Sequence, residues 1–354
     1  MPDNSLPVTS FILISLVKIV LAIGVLLTSV AYLTWFERKL VGHIQNRWGP
    51  SRVGPFGLLQ PLADGLKFIF KEDITPPYVN RYLYLLAPLL ALTLALTSIA
   101  VIPFSPPFRI GNFETPLQIT DVNIGLLIIL GVTSIGVYGV ALAGWSSNSK
   151  YSLLGSLRAS AQMVSYEVAL GLSLIGVLIN SQSFSLQDIV SSQAGLSWGF
   201  LPKWNIFHGG QILAFFIYLC AAFAETNRIP FDLPEAETEL VAGYHTEYSS
   251  MKFAMFFMAE YANMFTVACL ASILFLGGWN GPLFGFAGDS WQAGLLHVFW
   301  FGLRIFAFLF LYVWVRGTLP RFRYDQLMAF SWKVLLPLAV LNIVFTGLWV
   351  ALRS

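Results

Sequence analysis

Charge is what this chain has least of. Lysine, arginine, aspartate and glutamate make up 11% of 354 residues, against about 25% in ordinary soluble domains. So few charges cannot clothe a soluble surface of this size, which excludes a water-soluble globule. Cysteine is scarcer still. Cys220 and Cys269 both fall inside apolar runs and read as small buried hydrophobes, not as a disulfide or metal pair. No Cys-x-x-Cys spacing is present to hold zinc or an iron–sulfur cluster. Histidine occurs four times, and only His208 with His297 could supply the facing pair a membrane haem takes. A P-loop, a Gly-rich dinucleotide fingerprint and a nucleophile elbow are all missing. The net charge of +2 is too weak to point to nucleic acid as a partner. Any redox chemistry this chain serves has its electron carriers elsewhere.

What is present is long apolar runs. A helix needs roughly 20 apolar residues to cross a bilayer, whereas barrel strands would alternate over about 10. The runs predict an all-α polytopic membrane protein of about eight transmembrane helices, near 11–34, 82–103, 122–145, 164–180, 210–224, 253–277, 294–315 and 333–352. The fifth is the weakest, being short unless His208–Gly210 and Glu225 are drawn in. The first run is longer than a signal-peptide core and lacks a small-residue cleavage site, so it reads as a retained helix. No linker or internal repeat divides the chain, and 1–354 is expected to form a single integral membrane domain.

Basic residues orient the spans. Fifteen of the twenty lysines and arginines lie in the first, third, fifth and seventh loops. These loops are expected on the cytoplasmic side, with both termini outside, in a bacterial inner membrane; an organelle inner membrane is the alternative. The first loop is long. After the turn-rich Gly49-Pro50-Ser51-Arg52-Val53-Gly54-Pro55, residues 58–72 place Leu58, Leu62, Leu66 and Ile69 on one stripe and Asp64, Lys67 and Lys71 on another. That segment is too short and too charged to span, so an interfacial amphipathic helix is expected. A plain surface anchor fits the same pattern.

Eighteen acids are few enough to weigh singly. A carboxylate inside a membrane is costly and marks function by default. Glu167 and Glu260 fall inside the fourth and sixth spans, while Glu37 and Glu225 close the first and fifth. All four project toward the half that carries the basic loops. Glu37 is followed by Arg38 and Lys39, so pairing at a helix end is its plainer reading. Residues 225–248 hold Glu225, Asp232, Glu235, Glu237, Glu239 and Glu247 against the single Arg228. Such a cluster cannot ionise cheaply in low dielectric, and groups that keep protons near neutral pH can relay them. A solvated acidic loop is the bland alternative for Glu235, Glu237, Glu239 and Glu247.

Three blocks of residues resemble one family. The first is Glu37-Arg38-Lys39 with Gln45-Asn46-Arg47-Trp48-Gly49-Pro50 and Gly57-Leu58-Leu59-Gln60-Pro61-Leu62-Ala63-Asp64-Gly65-Leu66-Lys67. The second is Glu225-Thr226-Asn227-Arg228, Pro230-Phe231-Asp232-Leu233, Glu235, Glu237, Glu239-Leu240-Val241, Glu247-Tyr248 and Met258-Ala259-Glu260-Tyr261. The third is Pro320-Arg321-Phe322-Arg323-Tyr324-Asp325-Gln326-Leu327-Met328. Together they resemble the H subunit of respiratory complex I, the mitochondrial subunit 1 family. The resemblance implies a membrane-arm subunit of a proton-pumping NADH:quinone oxidoreductase that forms the membrane part of the quinone chamber. Quinone is then substrate, and FMN and iron–sulfur clusters belong to partner subunits. Implied partners are the peripheral-arm quinone-site and iron–sulfur subunits, small membrane subunits and antiporter-like subunits. Carried onto this chain, Arg38, Arg47, Asp64, Glu225, Arg228 and Glu235 correspond to the chamber or its mouth. Glu167, Asp232, Glu237, Glu239, Glu247 and Glu260 correspond to a proton path. Arg304, twelve positions before the Arg316 of Trp314-Val315-Arg316, is assigned to the same path and expected to be neutralised by its acids.

Two other readings stand beside this one. An anchor subunit of a related membrane-bound hydrogenase or ferredoxin-linked complex would share the fold. A stand-alone ion transporter would need its own mid-membrane site.

Overall fold

The computed structural model describes residues 8–110, 113–197, 201–232, 242–284, 288 and 290–353. Helix dominates them, as the uninterrupted apolar runs require, since a backbone in hydrocarbon must satisfy its own hydrogen bonds. α1 (Val8–Ile44) is followed by the short loop helix α2 (Gln60–Phe70). Then come α3 (Arg81–Thr97), α4 (Gly125–Ser146), α5 (Lys150–Ser181), the seven-residue α6 (Leu186–Ser192) and α7 (Gln211–Glu225). The chain closes with α8 (Ser250–Phe275), α9 (Trp291–Thr318), α10 (Tyr324–Phe330) and α11 (Leu336–Ala351). A π-turn over Ser331–Leu335 joins α10 to α11 as one continuous apolar rod. Two small antiparallel hairpins, Phe108–Ile110 with Phe113–Thr115 and Leu196–Ser197 with Leu201–Pro202, lie between helices.

Seven helices among the described residues are long and apolar enough to cross a membrane. The fifth expected span departs from that pattern. α7 has fifteen residues, about 22 Å at 1.5 Å per residue, short of the roughly 30 Å hydrocarbon core. The approach to it is buried: the Asn205 amide donates to Leu274 O of α8 at 2.9 Å, and Gly209 and Gly210 take positive φ to turn into the helix. α1 differs in the other direction. It runs ten residues past the expected end at Thr34 and carries Glu37, Arg38 and Lys39 on helix rather than loop.

Small residues bring the helices close, as membrane packing favours. A methyl on Gly139 of α4 would stand 3.1 Å from the Ala91 methyl of α3, and one on Gly155 of α5 would meet Gly243 Cα at 2.7 Å. The core gathers around Tyr166, Leu170, Tyr218 and Phe275, each almost fully buried. Buried tyrosines need partners for their hydroxyls. Tyr218 donates to Val267 O of α8 at 2.8 Å, and Tyr166 to Leu327 O of α10 at 2.8 Å.

Candidate functional site at the basic end of the bundle

Four segments converge where α1, α7 and α9 end and α8 begins. Arg228, buried just after α7, lies 3.6 Å from Glu37 and 3.7 Å from Glu260. Its guanidinium also stands 4.2 Å from the Tyr261 ring centre. Tyr261 donates its hydroxyl to Glu37 Oε2 at 2.8 Å. Arg316 from the end of α9 pairs with the same Glu37. Two cations and two carboxylates thus share a site where Glu37 and Arg228 are each only 6% exposed. Buried charges persist only when compensated, and here opposite charges and the Tyr261 hydroxyl supply that.

The polypeptide here is fixed from α5. The buried Gln162 amide donates to Ala224 O and Phe231 O, each at 2.9 Å, and so clamps the end of α7 to the loop beyond it. Asn227 takes a positive φ, and the Arg228 amide returns to Phe223 O at 3.2 Å, turning the guanidinium inward. Glu225, one turn before, has Oε2 buried without a hydrogen-bond partner among the described residues. It lies within electrostatic reach of Glu167 on α5, whose carboxyl meets the Ser134 hydroxyl of α4. Asp232 accepts from Arg321 at 3.1 Å and feels both Glu260 and Arg228. Burial lifts its carboxyl to about 6, against the downward pull of Arg321 and Arg228. Glu167 of α5 with Glu225 of α7, and Glu260 of α8 with Asp232 of the loop after α7, are therefore two electrostatically linked pairs.

Other expected residues take different places. Arg38 leaves α1 in the opposite direction from Glu37 and bonds Asp64 of α2 at 2.7 Å. Gln60 and Lys67 also meet that aspartate. Arg47 is exposed in the turn after α1, where it donates to Gln45 at 2.7 Å. Glu247 accepts from the Tyr78 hydroxyl at 2.6 Å, while its backbone carbonyl takes the Tyr84 hydroxyl. Beside it His245 is packed against Tyr244, Phe253, Phe256 and Phe257, and burial drops its imidazole to about 3. Glu235, Glu237 and Glu239 lie outside the described residues.

Arg304 corrects an expectation. It is not neutralised by the acids. Its guanidinium donates to Gly278 O and Asn280 O in the turn after α8 and stacks over Trp204. It lies twelve residues before Arg316, about 18 Å along α9. Turn carbonyls beyond the end of α8 thus serve the mid-span arginine where an acid was expected. Lys18 does the same at the far end, donating to Pro116 O at 3.1 Å and Gln118 O at 3.4 Å.

Reading the sequence underweights two groups that the structure makes central. Glu37 is readable as a partner of Arg38 and Lys39, and its partners are instead Arg228 and Arg316. Tyr261, adjacent to Glu260, carries a signal only as part of the Met258–Tyr261 block. Among the described residues no group of three His, Cys, Asp or Glu side chains gathers as a metal site.

α2 frames the same end. Among its residues none is buried, and Leu62, Leu66 and Ile69 present an exposed apolar stripe. The Ser250 hydroxyl at the start of α8 donates to Phe68 O and Lys71 O at 2.9 and 3.0 Å, tying the α2 C-terminus to the helix that carries Glu260.

Known proteins match this chain along nearly its whole length. The family model for NADH dehydrogenase matches residues 17–347. The second of the NADH-quinone oxidoreductase H subunits of Koribacter versatilis is 72% identical over 353 residues, covering 97% of this chain and 98% of the relative. The first of those of Solibacter usitatus is 53% identical with the same coverage. The H subunit from Thermomicrobium roseum is 54% identical over 92% of this chain and 93% of its own length. With the family model matched over most of its length and relatives this similar across nearly all of it, the chain belongs to the family of NADH-quinone oxidoreductase H subunits.

Proposed function

We propose that this chain walls the membrane part of the quinone chamber in a proton-pumping NADH:quinone oxidoreductase and couples quinone reduction to a proton path of buried carboxylates. The observation that carries the reading is Arg228, held almost equally by Glu37 and Glu260. A guanidinium shared between two carboxylates responds to a nearby change of charge by moving toward one. Movement toward Glu37 takes this counter-ion from Glu260, whereas Glu37 keeps Arg316 in either position. In this reading Arg38, Arg47, Asp64, Glu225, Arg228 and Glu235 belong to the chamber and its mouth, with α2 at the entrance. Glu167, Asp232, Glu237, Glu239, Glu247 and Glu260 carry the proton path. Arg304 is left out of the path, because its partners are backbone carbonyls away from the acids.

Quinone is the substrate. FMN and iron–sulfur clusters reside in peripheral-arm subunits, and small membrane and antiporter-like subunits continue the path. The complex sits in a bacterial inner membrane, with the basic loops on the cytoplasmic side, where the peripheral arm docks.

Glu260→Gln tests the reading, because it keeps shape and removes the charge. In inside-out vesicles holding the assembled complex, electron flow from NADH to ferricyanide should persist. NADH:quinone turnover and proton-gradient formation should fall roughly tenfold, about 1.4 kcal/mol of lost stabilisation. Full turnover and a full gradient in Glu260→Gln and Glu225→Gln alike would refute it.

A further inference from the structure

A cavity of about 480 Å³ opens between α7, α9 and α10 on the outside of the Arg228 centre. Its walls include Cys220 and Phe223 of α7, Phe231 of the following loop, Val315 of α9 and Leu327 and Phe330 of α10. Gln326 is its one polar side chain among the described residues, and its carbonyl oxygen already accepts the Arg323 amide at 3.3 Å. Water gains little in a space with so few partners, and hydrocarbon gains contact.

The rim has the opposite chemistry. Arg323, with 78% of its side chain exposed, pairs at 3.2 Å with Asp325, itself 66% exposed. A pair in such surroundings is worth at most about 1 kcal/mol, so the guanidinium keeps most of its field. The Arg158 guanidinium lies 5.0 Å from the Tyr324 ring centre. Lys333 is exposed one turn beyond Phe330. Among the described residues of the rim, Arg321 is matched by Asp232, which leaves the exposed Arg323 and Lys333 against the single Asp325. An apolar slot beneath a tyrosine and a cationic rim matches an amphiphile with an acidic head.

We propose that this cavity holds an acyl chain of an anionic phospholipid, with its phosphate at the Arg323 side of the rim. The proposal goes beyond the functional reading above and does not rest on it. Its occupant braces the contact in which the Phe322 amide bonds Pro230 O at 3.0 Å, the joint between the acidic loop and the last basic loop.

Photoreactive phosphatidylglycerol and phosphatidylcholine with a diazirine in the acyl chain test this on the purified complex. Peptide mapping should place phosphatidylglycerol on α7 and α10, with labelling by phosphatidylcholine about tenfold lower. Arg323→Gln combined with Lys333→Gln, both exposed and harmless to packing, should erase that preference. Cys220→Phe, which fills the slot, should lower labelling while the complex still copurifies. Equal labelling by the two lipids would overturn the headgroup assignment. Lipid-free walls that instead crosslink to a neighbouring subunit's helix would overturn the acyl-chain assignment.

Discussion

Asp232 and His245 flank residues 233–241, and burial moves their pKa values in opposite directions. Asp232 rises from 3.8 to about 6, and His245 falls from 6.5 to about 3. Both shifts favour the neutral form, as low dielectric demands. Their effects on stability have opposite signs. An unfolded histidine takes a proton as pH falls below 6.5, while the folded one resists until about 3. Stability is therefore lost on acidification through that window, by up to about 1.4 kcal/mol per pH unit. Asp232 holds its proton more tightly when folded, so its contribution to stability is full below 3.8 and is lost as pH rises through about 6. His245→Phe should remove the histidine limb. Its thermal midpoint relative to the parent should climb as pH drops from 6.5 to about 5. Parallel curves for the two proteins would refute the assignment. The same scale shows where sequence reading stops. Glu37, Glu260 and Arg228 announce themselves as rare charges near apolar runs. Their pairing does not, because neighbours in a helix diverge by about 100°. Glu37 therefore faces Arg228 and Arg316 while Arg38 turns to Asp64. Arg304 is legible as a cation needing a partner, but not which partner, since the carbonyls of a turn leave no mark in composition.

Among the elements, α2 is plain from its two-stripe pattern, and its expected range of 58–72 becomes Gln60–Phe70. What its pattern could not give is the attachment. Arg38–Asp64 looks the stronger tie at 2.7 Å, yet Arg38 is 54% exposed, and such pairs contribute about 0–1 kcal/mol. The Ser250 hydroxyl satisfies two carbonyls at the α2 C-terminus from a nearly buried position. Losing a bond of this kind costs about 1 kcal/mol and leaves acceptors unsatisfied. Ser250→Ala should thus speed amide hydrogen exchange over residues 66–71 severalfold, whereas Asp64→Asn should change it little. The reverse ranking would show that the ion pair holds the helix. α7 teaches the complementary lesson. Its shortness is visible in the apolar run. The buried Asn205 turn that extends the element toward the far face is tertiary, resting on Leu274 O of α8.

For the whole molecule the scarcity of charge becomes a statement about orientation. Basic residues cluster on the odd loops, and three elements that end there, α1, α7 and α9, bring Glu37, Arg228 and Arg316 to a single point. Lys18, near the other end of α1, meets the loop between α3 and α4. These contacts require α1, α7 and α9 to end on one face. They do not say which face of a membrane it is; the proposal that it is the cytoplasmic one rests on the rule that positive loops stay inside. Exposed positions decide the matter. Arg52→Cys lies past α1, Lys203→Cys past α5 and Arg323→Cys past α9. A membrane-impermeant maleimide should label Arg52→Cys and Arg323→Cys in inside-out vesicles only, and Lys203→Cys in right-side-out vesicles only. The native thiols give little background, with Cys269 in the core and Cys220 half-buried against the apolar cavity. Labelling of Lys203→Cys and Arg323→Cys on the same face would mean that the fifteen-residue α7 does not cross. In that event Arg228 could not stand beside Glu37 and Arg316 as it does.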